Sequence, residues 1–83
     1  MSASSNPSTL EQSAIDGARA LAVAQADALK AYRDLSSYRV QIVQEDDGWH
    51  VDYELKDARL KGGGPHYVID AMTSAILSKR YEQ

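Results

Sequence analysis

Residues 49–55, WHVDYEL, constrain the fold of this chain more than any other stretch. Apolar and aromatic side chains alternate there with polar ones without exception. Because successive side chains of a β-strand point to opposite faces, the pattern is typical of a strand with one apolar and one charged face. The apolar face would carry Trp49, Val51, Tyr53 and Leu55, and the charged face His50, Asp52 and Glu54.

A second alternating segment precedes this strand, and the two together predict a β-hairpin. Residues 38–42 alternate in the same way, and an Asp47-Gly48 pair between alternating segments is a strong hairpin signal. A two-residue loop at Asp47-Gly48 places Ile42 opposite Tyr53, and a four-residue loop over 46–49 gives the same register. In both cases apolar side chains meet on one face, whereas a slip by one residue would reverse the faces.

The N-terminal part of the chain predicts an arm followed by a helix. Residues 1–7 are small and polar, and we expect them to form a disordered arm. The sequence Ser8-Thr9-Leu10-Glu11 matches a capping box, so a helix is predicted to begin there and to run to about Asp34. Its apolar stripe, at steps of three and four residues, comprises Leu10, Ala14, Ala18, Leu21, Ala22, Ala28, Leu29 and Tyr32.

Two residues of this helix do not follow the stripe. Gly17 costs about 1 kcal/mol relative to Ala inside a helix, so it indicates either a close approach of the sheet or a tolerated surface position. Asp27 lies off the stripe, as most of the charged residues of the segment do.

The last segment, residues 66–81, fits two different structures. As a helix, its apolar residues from Ile69 to Leu77 share one face. As a hairpin, two short apolar strands flank a turn that begins at Asp70, whose carboxylate suits the first position of a turn. The glycines and proline at 62–65 interrupt whatever precedes the segment. Periodicity alone does not decide between the two structures.

These elements predict a single α+β domain over residues 8–83. One N-terminal helix would pack on an antiparallel meander of three to four strands. The chain has 83 residues and no cysteine, so neither disulfides nor thiolate metal sites can support this domain. The predicted core comprises Leu21, Ala22, Leu29, Tyr32, Val40, Ile42, Trp49, Val51, Tyr53, Leu55, Tyr67, Ile69 and Leu77.

Charge and hydropathy exclude two classes of partner. The net charge is −3 and the basic residues are scattered singly, which argues against nucleic acid because its binding needs a cluster of Lys and Arg. No apolar run approaches the roughly 18 residues of a membrane span. The N-terminus lacks a signal-peptide pattern, so we expect a cytoplasmic protein, or a periplasmic one if an upstream segment was removed.

The candidate chemical groups do not form a catalytic set. His50, Asp52 and Glu54 share one strand face, where alternate positions lie roughly 6–7 Å apart, and such a trio could bind a divalent cation. A structural zinc site needs four ligands, however, so we expect a solvated face without metal. The glycines before His66 lack the Lys and Ser or Thr of a phosphate-binding loop. We therefore predict neither cofactor nor enzymatic activity.

The C-terminal half resembles a known group of proteins. The segment GGPHYVID over 63–70, with Thr73 after it and an apolar strand at 75–77, is similar to the end of small bacterial immunity proteins of the nuclear-transport-factor-like fold. PepSY domains look similar over the same stretch. Both groups also carry a Trp-x-Val strand and use a cystatin-like arrangement of helix and sheet. Ser74 stands where both usually have Gly, which would supply the positive φ of a bulged turn.

The resemblance favours the C-terminal hairpin and implies binding rather than catalysis. We expect a protein-binding module, with an immunity-type protein that neutralises a basic toxin domain as the specific hypothesis. The alternatives are a PepSY-like regulatory or protease-inhibitory envelope domain and a small-ligand-binding domain. A sheet of this kind has unpaired edges, so the predicted state is a monomer or a weak dimer.

The partner-binding prediction rests on two neighbouring surfaces. Trp49 is expected in the core, but where partly exposed it would anchor a basic partner beside the acidic turn, because aromatic residues dominate binding hot spots. The charged strand face is an alternative docking surface. The candidate binding residues are Asp46, Asp47, Trp49, His50, Asp52 and Glu54.

Overall fold

In a computed structural model, which describes residues 14–57, 59–60 and 63–81, the chain forms one helix followed by four strands. The elements are α1 (Gly17–Ala31), β1 (Tyr38–Glu45), β2 (Gly48–Leu55), β3 (Pro65–Ile69) and β4 (Ile76–Tyr81). The strands pair antiparallel in the order of the sequence, and α1 packs on one face of the sheet. The predicted α+β class and meander are confirmed. Among the described residues, no helix is long and apolar enough to cross a membrane.

Helix α1 is shorter than the sequence predicted. Residues 14–16 are not helical, and the Asp16 carboxylate caps the first turn by accepting the Arg19 amide at 2.9 Å. The helix ends at Ala31, because Tyr32 takes an extended conformation and the Asp34 carboxylate bonds the amide of Ser36 instead. The predicted capping box at 8–11 and the predicted arm at 1–7 lie outside the described residues.

The buried stripe of α1 is also rotated from the predicted one. It comprises Ala20, Ala24, Asp27 and Ala28, whereas Ala18, Ala22 and Leu29 of the predicted stripe are exposed. Asp27, which the predicted stripe leaves out, therefore belongs to the buried side of the helix. Gly17 is the first helical residue, and a Cβ there would lie 3.4 Å from the Trp49 ring. The start of the helix therefore lies against the sheet, but 3.4 Å is an ordinary van der Waals distance for a Cβ, so the contact does not require glycine.

The β1–β2 hairpin forms at the predicted place with a different register. The loop is Asp46-Asp47, so Glu45 pairs with Gly48 and Ile42 lies opposite Val51 rather than Tyr53. The shift is two residues, which preserves the faces. Gly48 takes φ +136 at the first position of β2, where a Cβ would collide with the Ile69 carbonyl. Glycine is therefore required at this position by the close contact with β3 and not by the loop, so the predicted Asp47-Gly48 loop is wrong.

The C-terminal segment is a hairpin, and the alternative helix is wrong. The Asp70 carboxylate accepts the amides of Met72 (2.7 Å) and Thr73 (2.9 Å), as its predicted turn role requires. Ser74 adopts φ 64, the left-handed conformation expected at the position where Gly is usual. A register shift between Val68 and Ile69 marks a bulge in this hairpin.

The core lies between α1 and the middle strands. Val51, Tyr53, Tyr67 and Ile69 are buried as predicted, and they pack on Ala20, Ala24 and Ala28. Leu21, Ile42 and Trp49 are partly buried against this core. Two further core predictions are wrong for positional reasons: Val40 lies on an edge strand and is 37% exposed, and Leu77 lies at the bulge and is 53% exposed.

Candidate functional site

Helix α1 covers only one face of the sheet, and the other face is built from polar side chains. Because side chains alternate along each strand, every second residue of the four strands points away from α1. We call this surface the outer face. It comprises Arg39, Gln41, Val43, His50, Asp52, Glu54, His66, Val68, Ser78 and Arg80.

A histidine and the acidic turn form the first pair on this face. The Asp47 carboxylate lies 2.7 Å from Nε2 of His50. That hydrogen bond raises the pKa of His50, and the charges of Asp47, Glu45 and Asp52 act in the same direction. The bond to His50 lowers the pKa of Asp47 in return. The turn and the first residues of β2 thus hold this imidazole at one end of the outer face, where Asp47 favours its protonated form.

A second histidine–carboxylate pair crosses two strands. Asp52 of β2 and His66 of β3 lie directly opposite each other in the register, and Oδ1 of Asp52 is 2.7 Å from Nδ1 of His66. Both side chains are partly buried, with side-chain exposures of 35% and 21%. The cross-strand position therefore fixes both groups in the middle of the outer face.

An open groove runs beside these two pairs. Its volume is about 180 Å³, and it is lined by His50, Asp52, His66, Tyr67, Val68, Ser78 and Arg80. The lining brings two imidazoles, a guanidinium, a hydroxyl and a carboxylate around the apolar Val68. Such a surface offers both donors and acceptors to the side chains of a partner.

The third charged pair of the outer face is more exposed. The Arg39 guanidinium bonds Oε1 of Glu54 at 3.3 Å, with side-chain exposures of 70% and 47%. Arg39 lies opposite Glu54 in the β1–β2 register. This pair lies at the end of the outer face opposite the acidic turn.

The structure divides the predicted binding residues between two faces. His50, Asp52 and Glu54 share the outer face, and Asp47 joins them through His50. Asp46 is exposed at the turn. Trp49 points toward α1 instead, where its Nε1–H donates to the Ile15 carbonyl at 3.1 Å. The predicted core position of Trp49 agrees with this packing.

One polar cluster was missed by sequence reasoning. Asp27 of α1 is only 8% exposed and accepts hydrogen bonds from the Tyr81 hydroxyl (2.7 Å), the Tyr67 hydroxyl (2.9 Å) and Nζ of Lys79 (3.2 Å). We call these four residues the Asp27 cluster. Asp27 lies three residues after Ala24 and one before Ala28, so its helical position was the signal that could have placed it inside.

The electrostatics of the Asp27 cluster favour anchoring over reaction. The hydrogen bond from Tyr81 is the main cause that lowers the pKa of Asp27, with Tyr67 and Lys79 contributing and burial opposing. Burial and the bond to Asp27 raise the pKa of Tyr67. A carboxylate with a lowered pKa is a poor general base near neutrality. The hydrogen bonds of the cluster instead connect α1 to β3 and β4.

Within the described residues, no three His, Asp or Glu side chains converge in a way that could hold a metal ion. The side chains of His50, Asp52 and Glu54 each bond a different partner: His50 bonds Asp47, Asp52 bonds His66 and Glu54 bonds Arg39. Comparison with known proteins adds no relative: no protein-family model, curated protein or solved structure matches this chain.

Proposed function

We propose that this chain is a non-enzymatic protein-binding module whose docking surface is the outer face of its sheet. The observation that carries the proposal is the outer face itself: α1 packs on the opposite face, and the turn and the strand pairing hold two histidine–carboxylate pairs on the outer face beside an open groove. A groove that presents both hydrogen-bond donors and acceptors can receive polar side chains of a partner.

The acidic turn at one end of this surface suits a partner with basic side chains. Glu45, Asp46 and Asp47 form an exposed acidic turn at one end, and Asp47 alone among them is bonded to His50. Opposite charges across an interface steer association and select the partner. The net charge of −3 acts in the same direction.

The specific form of the proposal is an immunity-type protein that neutralises a basic toxin domain. The C-terminal hairpin supports it, since the Asp70 turn and the following strand are the features on which the resemblance rests. PepSY domains share these features, and the test below separates the two.

The test is co-expression of the full chain with each product of the neighbouring genes. We expect one of them to be toxic alone, to lose its toxicity with this chain and to co-purify with it in a stoichiometric complex. Failure of every neighbouring product to bind contradicts the immunity hypothesis. Binding and inhibition of a protease instead would support the PepSY-like alternative.

A pair of variants tests the docking surface separately from the partner's identity. Asp52→Lys with Glu54→Lys reverses charge on the outer face and is expected to abolish the complex. Lys30→Glu with Arg33→Glu changes as many charges on exposed positions near the end of α1, and the complex should persist. Circular dichroism checks that both variants fold. Loss of binding only in the α1 variant would place the docking surface on the helix.

A further inference from the structure

The two edges of the sheet differ in how well they are protected. In the described part of the chain, β1 and β4 each have a neighbouring strand on one side only. An unpaired edge exposes a row of N–H and C=O groups that can pair with another chain. Proteins usually blunt such edges with bulges, prolines, lysines or short strands.

The β4 edge carries such protection. The register shift against β3 makes Leu77 an extra residue at a bulge, which twists the strand locally. Lys79 and Arg80 then place two successive cations on this edge strand. These features disfavour the pairing of β4 with a further strand.

The β1 edge has none of these protective features. β1 is eight residues long, YRVQIVQE, and its register with β2 is unbroken. It contains neither glycine, proline nor lysine, and its charged residues are Arg39 and Glu45. Val40 and Val43 are 37% and 36% exposed. A long, regular and partly apolar edge of this kind is a template for strand addition.

The register determines which backbone groups of β1 face outward. The Lys56 amide donates to the Ser37 carbonyl at 2.9 Å, so odd-numbered residues of this strand form the hydrogen-bonded pairs with β2. The even-numbered residues Val40, Ile42 and Gln44 therefore direct their N–H and C=O groups to the free edge. Tyr38 is the first of these even-numbered residues, but its N–H is not available at the free edge because it donates to the Leu35 carbonyl.

We propose that β1 pairs antiparallel with β1 of a second copy of this chain, about a two-fold axis at Ile42. In this register Ile42 meets its own copy, and Val40 meets Gln44 of the second copy, so the outward backbone groups match. Arg39 lies opposite Glu45 of the second copy on the outer face, at both ends of the interface. Opposite charges placed directly across two strands stabilise the pairing.

Charge complementarity and strand overlap select this register over its two neighbours. A two-fold axis at Gln41 would oppose Arg39 and Val43 and would leave Glu45 without a strand partner, and an axis at Val43 would pair only residues 41–45 within the strand. The Ile42 axis also gives a closed assembly, since it uses both β1 edges and leaves the protected β4 edges outside. The occupant is therefore a single second copy rather than a growing stack.

The test uses charge reversal in the full chain and sedimentation at concentrations up to about 1 mM. Arg39→Glu alone and Glu45→Arg alone each oppose like charges at both ends, and each should weaken self-association roughly tenfold. An equimolar mixture of the two variants should associate as well as the unmodified chain, because every mixed dimer pairs opposite charges. Arg33→Glu, at an exposed position after α1, is the matched control and should leave the dimer unchanged.

A second comparison tests the backbone pairing. Gln44→Pro removes an N–H from the free edge and spares the bonds to β2, so it should abolish the dimer while the chain stays folded. Gln44→Ala keeps the N–H and should retain the dimer. The proposal is overturned by a monomer at every concentration, by a mixture that does not associate, by open-ended assembly, or by an Arg33→Glu effect as large as those of the β1 variants. Since the outer face stays open in this dimer, failure here leaves the proposed function untouched.

Discussion

The two faces of the sheet use the same chemical groups in different ways. On the face under α1, one carboxylate, Asp27, is buried and accepts hydrogen bonds from three side chains. On the outer face, Asp47, Asp52 and Glu54 each bond the side chain of one neighbour and remain partly or largely exposed. Water competes for every outer pair, whereas it reaches the Asp27 carboxylate, whose side chain is 11% exposed, much less. The same kind of contact is therefore expected to stabilise the fold much more under the helix.

Burial also makes the inner contact obligatory. A buried carboxylate that loses its partners is left with an uncompensated charge, and buried donors that lose the carboxylate are left without an acceptor. Neither penalty applies to a solvated pair. The predictions that follow test this difference, starting with the largest expected effect.

Removal of the inner carboxylate should have the largest effect on stability. Asp27→Ala leaves the buried Tyr67 hydroxyl without its acceptor and disconnects α1 from β4. We expect the free energy of unfolding to fall by about 3 kcal/mol, measured by urea denaturation.

The exposed Asp34, whose carboxylate bonds only Ser36, supplies the matched control. Asp34→Ala should shift the urea midpoint far less than Asp27→Ala. Similar midpoints for the two variants would mean that burial does not distinguish the two kinds of carboxylate, and the comparison of the faces would fail.

Two buried tyrosines give a more selective test. The Tyr67 hydroxyl donates to Asp27, whereas the Tyr53 hydroxyl is buried and finds no hydrogen-bond partner among the described residues. Tyr67→Phe should lower the free energy of unfolding by about 1.5 kcal/mol, because it removes a hydrogen bond to a charged group. Tyr53→Phe should be neutral or stabilising, since it removes a polar atom that burial has desolvated. Equal losses in denaturation experiments would contradict this.

The sequence predicted the elements of this molecule better than their mutual placement. The alternation from Trp49 to Leu55 identified β2 and its faces, because period-two patterning follows directly from strand geometry. The register of the first hairpin was wrong by two residues, since Gly48 serves a contact with Ile69 of β3. No local pattern reports a contact between segments that are distant in sequence.

The candidate sites show the same limit. The alternation placed His50, Asp52 and Glu54 on one face, but their partners Asp47, His66 and Arg39 depend on the turn and on the strand pairing. Asp27 was left off the predicted stripe because the stripe was traced through apolar residues alone. A carboxylate can be buried in a core only where other elements supply hydrogen-bond donors to it. Here those donors lie 40 to 54 residues later in the chain.

On the outer face, pH should control the pair at the turn. The pKa of His50 is raised in the folded chain, so the stability from its protonated form is complete below the unfolded value of about 6.5. It is lost as the pH rises through the folded value. The pKa of Asp47 is lowered, so the pair also weakens as the pH falls through that lower value. His50→Gln should therefore destabilise the chain at about pH 5 and have little effect above about pH 8.

The measurement is urea denaturation of both chains at each pH. Because His66 and all carboxylates other than Asp47 keep their bonds in both chains, the difference between the curves isolates the pair at the turn. A difference that grows with pH would mean that the imidazole is held in its neutral form, against the direction derived from Asp47.

The smallest effect is expected for the most exposed pair. Arg39 and Glu54 sit at 70% and 47% side-chain exposure, where solvent and salt screen their attraction. A double-mutant cycle with Arg39→Ala and Glu54→Ala should give a coupling below about 0.5 kcal/mol, and 1 M salt should remove it. The cycle is run at low protein concentration, so that association through β1 does not contribute. A coupling as large as the loss in Tyr67→Phe would show that the outer face is not solvated like an ordinary surface, and the contrast between the faces would then rest on geometry rather than on water.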